Sequence, residues 1–172
     1  MIEHSIIHYN KNQIFNTEIH RKAVRAIIQR QDKILLVHST NVGDYKFPGG
    51  GVEKQEDDSE ALRREIQEEC GLILSEIKEK VIRITEMSQS KESGTTLFKM
   101  ISEYYVCTVK AERVRQKLDK YEEELGFRPV WIDLEKAIEQ NKQMLISSKV
   151  NTPSWLEREL WVMEVMNKGK VT

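Results

Sequence analysis

Two runs rich in branched aliphatic residues, AVRAIIQR (Ala23 to Arg30) and KILLVHS (Lys33 to Ser39), are separated only by Gln31 and Asp32. Such residues favour extended chain, so the pair predicts two strands joined as a hairpin. In DYKFPGGGVE, Pro48 rules out a continuing helix and the glycines permit close backbone approach by a ligand, which predicts a structured loop. The period then changes. Leu62, Ile66 and Cys70 recur at i, i+4 and i+8, the stripe of a helix that Asp58 or Ser59 can cap and Gly71 can stop. VIRITEM and TTLFKMISEYYVCTV predict two more strands around the polar stretch SQSKESG, and RPVWIDL another strand leading into a short helix, LEKAIEQN. The last pattern, WLERELWVMEVMNKG, is helical, with Ser154 and Glu157 spaced as a capping box and Gly169 as a stop. Residues 1–20 show no clear period and read as an N-terminal extension, and residues 152–169 as a C-terminal helix.

Strands mixed with two or three helices predict an α/β or α+β sandwich rather than a bundle. A chain of 172 residues with three prolines, no repeat and no Pro/Gly/Ser-rich linker fits one domain. With 39% hydrophobic and 32% charged residues, no apolar run approaches a membrane span and the start lacks a secretion signal, so a cytoplasmic location is expected. A net charge of -1 speaks against a nucleic-acid polymer as partner, whereas a small phosphorylated ligand needs only a local cation. Cys70 and Cys107 are too few for a disulfide framework and read as reduced core residues.

The predicted central helix is crowded with acidic residues. Glu65, Glu68 and Glu69 fall within an arc of roughly 100°, beside the apolar stripe rather than opposite it. Like charges at i, i+4 cost an exposed helix about 0.2–0.5 kcal/mol per pair, and more where water is excluded. Two readings stand. One is a solvated acidic face eased by Arg63 and Arg64; the other is a site for a hard divalent cation, which turns carboxylate repulsion into attraction.

The spacing from Gly50 to Leu72 resembles the Nudix box: Gly50, Glu56, Arg64, Glu65, Ile66, Glu68, Glu69, Gly71 and Leu72 occupy every specified position. FPGG and the two preceding strands also look like that family, and the resemblance spans Ala23 to Asn141. Gln55 departs from it, standing where many members have glycine, which puts the shape of that turn in doubt. The resemblance implies an α/β/α sandwich with a mixed β-sheet, and Mg²⁺- or Mn²⁺-dependent hydrolysis of a nucleoside diphosphate linked to another moiety, such as a damaged or non-standard nucleoside triphosphate. An ADP-ribose or nucleotide-sugar pyrophosphatase, or a non-catalytic nucleotide sensor, are the alternatives.

By motif transfer, Glu65, Glu68 and Glu69 are metal ligands, with the Gly49 carbonyl as a further donor and Glu56 one step removed. Arg64 orients a box carboxylate. The general base is either a box glutamate or one outside it, among them Glu122, Glu123 and Glu124, which otherwise read as a solvated loop. Gly49 and Gly50 lie on the substrate side. Tyr45 and Phe47 are candidates to stack on a nucleobase, with core packing the other reading for Phe47. Trp131, Tyr104 and Tyr105 read as structural, and the four histidines show no ligand spacing. The Trp155, Leu156, Leu160, Met163 and Met166 stripe either closes the core or meets a second copy in a homodimer.

Overall fold

The computed structural model describes residues 1–10, 12–147 and 153–170. The predicted hairpin forms from β2 (Thr17–Arg30) and β3 (Lys33–Ser39), turning through Gln31 at φ 55°. The two strands pair only at Gln29–Ile34 and Arg30–Lys33 before they part. From there β2 runs parallel to β6 (Thr96–Arg113), and β3 takes the two-residue β4 (Tyr45–Lys46) on one side and β7 (Phe127–Ile132) on the other. β5 (Leu72–Gln89) is antiparallel to β6, and β1 (Ile2–His8) joins the far edge parallel to β5. The result is a seven-stranded mixed sheet in the order β1-β5-β6-β2-β3-β4, with β7 also on β3. The start of the chain, which shows no period in sequence, thus contributes an edge strand.

Alternation on the central strands separates two cores. Val24, Ala26, Ile28, Leu35 and Val37 face α1 (Asp58–Cys70), whose Ala61, Leu62, Ile66 and Cys70 fill that layer. Ile27, Ile34 and Leu36 face α3 (Leu134–Ser147) and α4 (Leu156–Asn167). Helices on both faces of a mixed sheet make the α/β sandwich expected from sequence. Both cysteines are buried and free, as expected. The stripe on α4 closes the core, with Leu156, Leu160, Met163 and Met166 all buried. Among the described residues, no helix is long and apolar enough to cross a membrane.

Three local expectations change. α1 is capped by Asp57, in a reciprocal box with Glu60, one residue ahead of the expected cap. Asp58 is drawn away, accepting from Lys22 Nζ at 2.6 Å and from the Tyr105 hydroxyl at 2.6 Å. The box expected at Ser154 and Glu157 does not form: Trp155 takes the cap position in αR conformation, its indole has no acceptor for the helix's free N–H groups, and its own N–H donates to Asp44 at 2.6 Å. Third, KYEEELGF is no loop. Asp119 and Glu122 form a capping box that starts a short helix, α2 (Lys120–Leu125), stopped by Gly126 at φ 70°.

Gln55 sits at φ 73°, so the turn keeps the left-handed backbone that glycine usually supplies. A side chain there costs roughly 1–2 kcal/mol. Gln55→Gly should therefore raise stability by about 0.5–1 kcal/mol after the extra backbone entropy of glycine is offset. Urea denaturation measures this, and a loss of stability would contradict it.

Candidate active site

The site exists because β2 and β3 part. The loop after β4 runs along the freed edge of β2 as a substitute strand: Ala26 N–H donates to Pro48 O at 2.9 Å, Val24 N–H to Gly50 O at 3.0 Å and Val52 N–H to Lys22 O at 3.0 Å. Gly49 lies so close to β2, at φ 132°, that a Cβ would fall 2.2 Å from the Val24 carbonyl oxygen. At Gly50 a Cβ would fall 2.3 Å from Glu65 Oε1. The glycines thus let the backbone touch both the sheet and the acidic face of α1.

On that face, the described residues place oxygens of Glu65, Glu69 and Glu122 within 4.8 Å of one another. Glu69 is enclosed, accepting from Lys46 Nζ at 2.6 Å through Oε1 and from Gly49 N–H at 2.8 Å through Oε2. Glu65 is also buried, and its carboxyl is pushed up by lost solvation and by the charge of Glu69. Glu68 is the accessible member, its side chain 35% exposed. Arg64 binds the group together: it forms a two-toothed pair with Glu56 at 2.8 and 2.9 Å, and donates to Glu65 at 2.7 Å, Glu68 at 3.3 Å and Gly51 O at 3.0 Å. The pair holds Glu56 below the usual carboxylate range, and Arg64 joins three carboxylates rather than standing as a lone surface charge. The Gly49 carbonyl, expected as a metal donor, accepts from the buried Arg25 guanidinium, which leaves one lone pair.

Gly51, Arg64, Glu65 and Glu68 border a cleft of about 620 Å³ that also takes in Arg21, Lys117, Asp119 and Glu122; Glu56, Glu69 and the glycines expected on the substrate side, Gly49 and Gly50, do not line it. Of the three outside glutamates, only Glu122 turns inward; Glu123 and Glu124 are exposed. Burial, aided by the nearby Glu69 charge, pushes Glu122 up to about 7. Tyr45 and Phe47 do not border the cleft. Phe47 is fully buried, edge-on to Tyr104, and Tyr45 stacks on His38 and packs into the α3/α4 layer. In this alternating strand only Lys46, between them, points toward α1, so the stacking expectation fails for both rings. Lys46 and Arg25 escaped the sequence reading because they lie outside the motif and look like ordinary strand cations.

The elevated value at Glu122 has a consequence for stability. A carboxyl whose folded pKa lies above its unfolded value favours the folded state only while protonated, so in cation-free protein its contribution falls as pH rises from about 4.5 to about 7. Glu122→Gln should be more stable relative to wild type at pH 8 than at pH 5. Thermal unfolding in EDTA tests this, and a difference independent of pH would contradict it.

The model of the NUDIX domain matches residues 19–152. The chain belongs to the NUDIX family. As a NUDIX hydrolase it acts on phosphoanhydride bonds. Its sequence is 27% identical over 138 residues to mouse diphosphoinositol polyphosphate phosphohydrolase 3-alpha, covering 75% of this chain and 74% of the relative. A shorter stretch of 54 residues is 48% identical to the ADP-ribose pyrophosphatase of Methanocaldococcus jannaschii, over 30% of this chain and 32% of that protein. Another of 55 residues is 44% identical to the CTP pyrophosphohydrolase of Escherichia coli, over 30% and 41% of the two chains. Among solved structures, a NUDIX hydrolase from Nitrosomonas europaea superposes with a TM-score of 0.60 at 21% identity, over 87% of this chain and 90% of that one. A MutT NUDIX hydrolase from Burkholderia pseudomallei gives 0.53 at 17% identity, over 83% and 97%. At those identities the superpositions speak for the fold, and the family match for the chemistry.

Proposed function

We propose that the cleft hydrolyses a nucleoside diphosphate linked to another moiety, with a nucleoside triphosphate as the favoured substrate form. What carries this reading is the convergence of Glu65, Glu69 and Glu122 within 4.8 Å, with Glu65 held by Arg64 and Glu69 by Lys46 and the Gly49 N–H. The donor set is all carboxylate oxygen, which fits a hard cation such as Mg²⁺ or Mn²⁺ held by Glu65, Glu68 and Glu69. When bound, such an ion offsets phosphate charge and lowers the pKa of a coordinated water.

The remaining work belongs to side chains. Arg64 keeps Glu65 and Glu68 aimed at the cleft, since its other edge is held by Glu56. Glu122, whose carboxylate faces Glu65 and Glu69, takes the proton from the attacking water and passes it to the leaving phosphate. Arg21 and Lys117 border the same cleft and supply positive charge for phosphate oxygens beyond the cleaved linkage. Among the described residues, no aromatic side chain borders the cleft. Two cations and no stacking ring favour a phosphate-dense substrate over a nucleotide sugar, and the relative named a CTP pyrophosphohydrolase agrees with that choice.

The test is a panel of nucleoside triphosphates, ADP-ribose and nucleotide sugars incubated with Mg²⁺, with nucleoside monophosphate release followed chromatographically. A triphosphate should be cleaved fastest and EDTA should abolish release. Turnover of none of them, or turnover untouched by EDTA, would overturn the reading. Preference for ADP-ribose would overturn its substrate choice.

A further inference from the structure

β4 is only two residues long, and its backbone is held from both edges. One edge pairs with β3 through Val37–Lys46 and His38–Tyr45. Where a further strand would stand on the other, two side chains substitute for it. Asn141 on α3 accepts from Tyr45 N–H at 2.9 Å and donates to Tyr45 O at 2.8 Å, and Glu159 on α4 accepts from Phe47 N–H at 2.8 Å. Both side chains are fully buried. Neither belongs to the motif. Their grip fixes the facing of the short strand, with Tyr45 and Phe47 toward the helices and Lys46 through the sheet toward α1.

Lys46 is therefore no solvated surface lysine. It is 8% exposed, its ammonium lies 4.2 Å from the centre of the Phe127 ring, and it stands 2.6 Å from Glu69 Oε1. A lysine stem is long and mobile, and burying its head is unfavourable unless a charge partner is fixed opposite. Here the partner is fixed, because Gly49 N–H holds the other oxygen of Glu69 at 2.8 Å. The innermost carboxylate of the cluster thus carries a countercharge built into the chain.

We propose that Lys46 is a resident counter-cation of the carboxylate cluster, filling at Glu69 the place of one divalent ion and so setting how many such ions the site takes up. The inference rests on reading the cluster as a divalent-cation site. It predicts fewer bound ions than the carboxylates alone would draw, and it assigns Asn141 and Glu159 the task of holding the ammonium in place.

Calorimetric titration with MnCl₂ alone tests this on wild type, Lys46→Met and Lys46→Arg. Lys46→Met should take up one more Mn²⁺ per chain, or bind the last ion at least tenfold more tightly, while Lys46→Arg keeps the wild-type stoichiometry. Unchanged or weaker uptake by Lys46→Met overturns the inference. If Lys46→Met does not fold in EDTA, thermal unfolding with added MnCl₂ decides: recovery of a cooperative transition supports the inference and its absence overturns it. Wild type that takes up no Mn²⁺ would instead sink the reading of the site itself, so the two failures are told apart.

Discussion

Glu68→Gln should lower kcat by about 10²–10³-fold while shifting unfolding free energy by less than about 0.5 kcal/mol. The first figure follows from losing an interaction worth several kcal/mol at the reacting phosphate, at 1.36 kcal/mol per factor of ten. The second follows from its setting: Glu68 is the cluster's most accessible side chain and keeps only one long contact, with Arg64 at 3.3 Å. Glu69→Gln should lose similar activity but also stability, by about 3–5 kcal/mol, because it leaves the buried Lys46 without its charge partner. Steady-state kinetics and urea denaturation of both variants separate the two roles. Glu68→Gln with more than a tenth of wild-type turnover, or equal stability for the two variants, would contradict the assignment.

Glu159→Ala is expected to be the most damaging change away from the cleft. Its carboxylate accepts from Phe47 N–H, from the Tyr104 hydroxyl at 3.1 Å and from Arg158 at 2.8 and 2.9 Å, and all four residues are buried. Truncation leaves the Arg158 guanidinium with Glu86 as its remaining carboxylate partner and strands a backbone N–H. The cost should be about 3–5 kcal/mol, a fall in Tm of roughly 6–20 °C for a chain of this size. Pairing Glu159→Leu with Arg158→Met should recover only part of the loss, since it removes the ion pair but still strands the Phe47 N–H and leaves Glu86 without its arginine. A loss under about 1 kcal/mol in Glu159→Ala would show that the network is slack.

The fate of each sequence reading follows from the range of the forces involved. The α1 stripe, its glycine stop and the β2/β3 hairpin were legible because they are set by neighbours a few residues apart. The pairing of Arg64 with the box carboxylates was legible for the same reason: those partners lie within eight residues. Glu122 was visible only as one of three equivalent glutamates, since its inward turn depends on the Asp119 cap. Lys46, Arg25 and Asn141 were invisible, because their partners lie 23, 24 and 96 residues away. The Trp155 bond to Asp44, 111 residues distant, likewise overrode a local capping signal. Tyr45 was misjudged, and Phe47 left open between stacking and core, because nothing in DYKFPGG says which face of so short a strand looks inward.

The hydrogen bond from Phe47 to Glu159 spans 112 residues. During synthesis the chain emerges from its first residue onward, and contacts of such separation close late. The glutamate helix is translated long before α3 and α4, yet the strand that carries Lys46 has no anchor on that side until those helices dock. A nascent chain should thus stay inert until α3 and α4 have left the ribosome, which keeps a half-made hydrolase from acting on phosphoanhydrides.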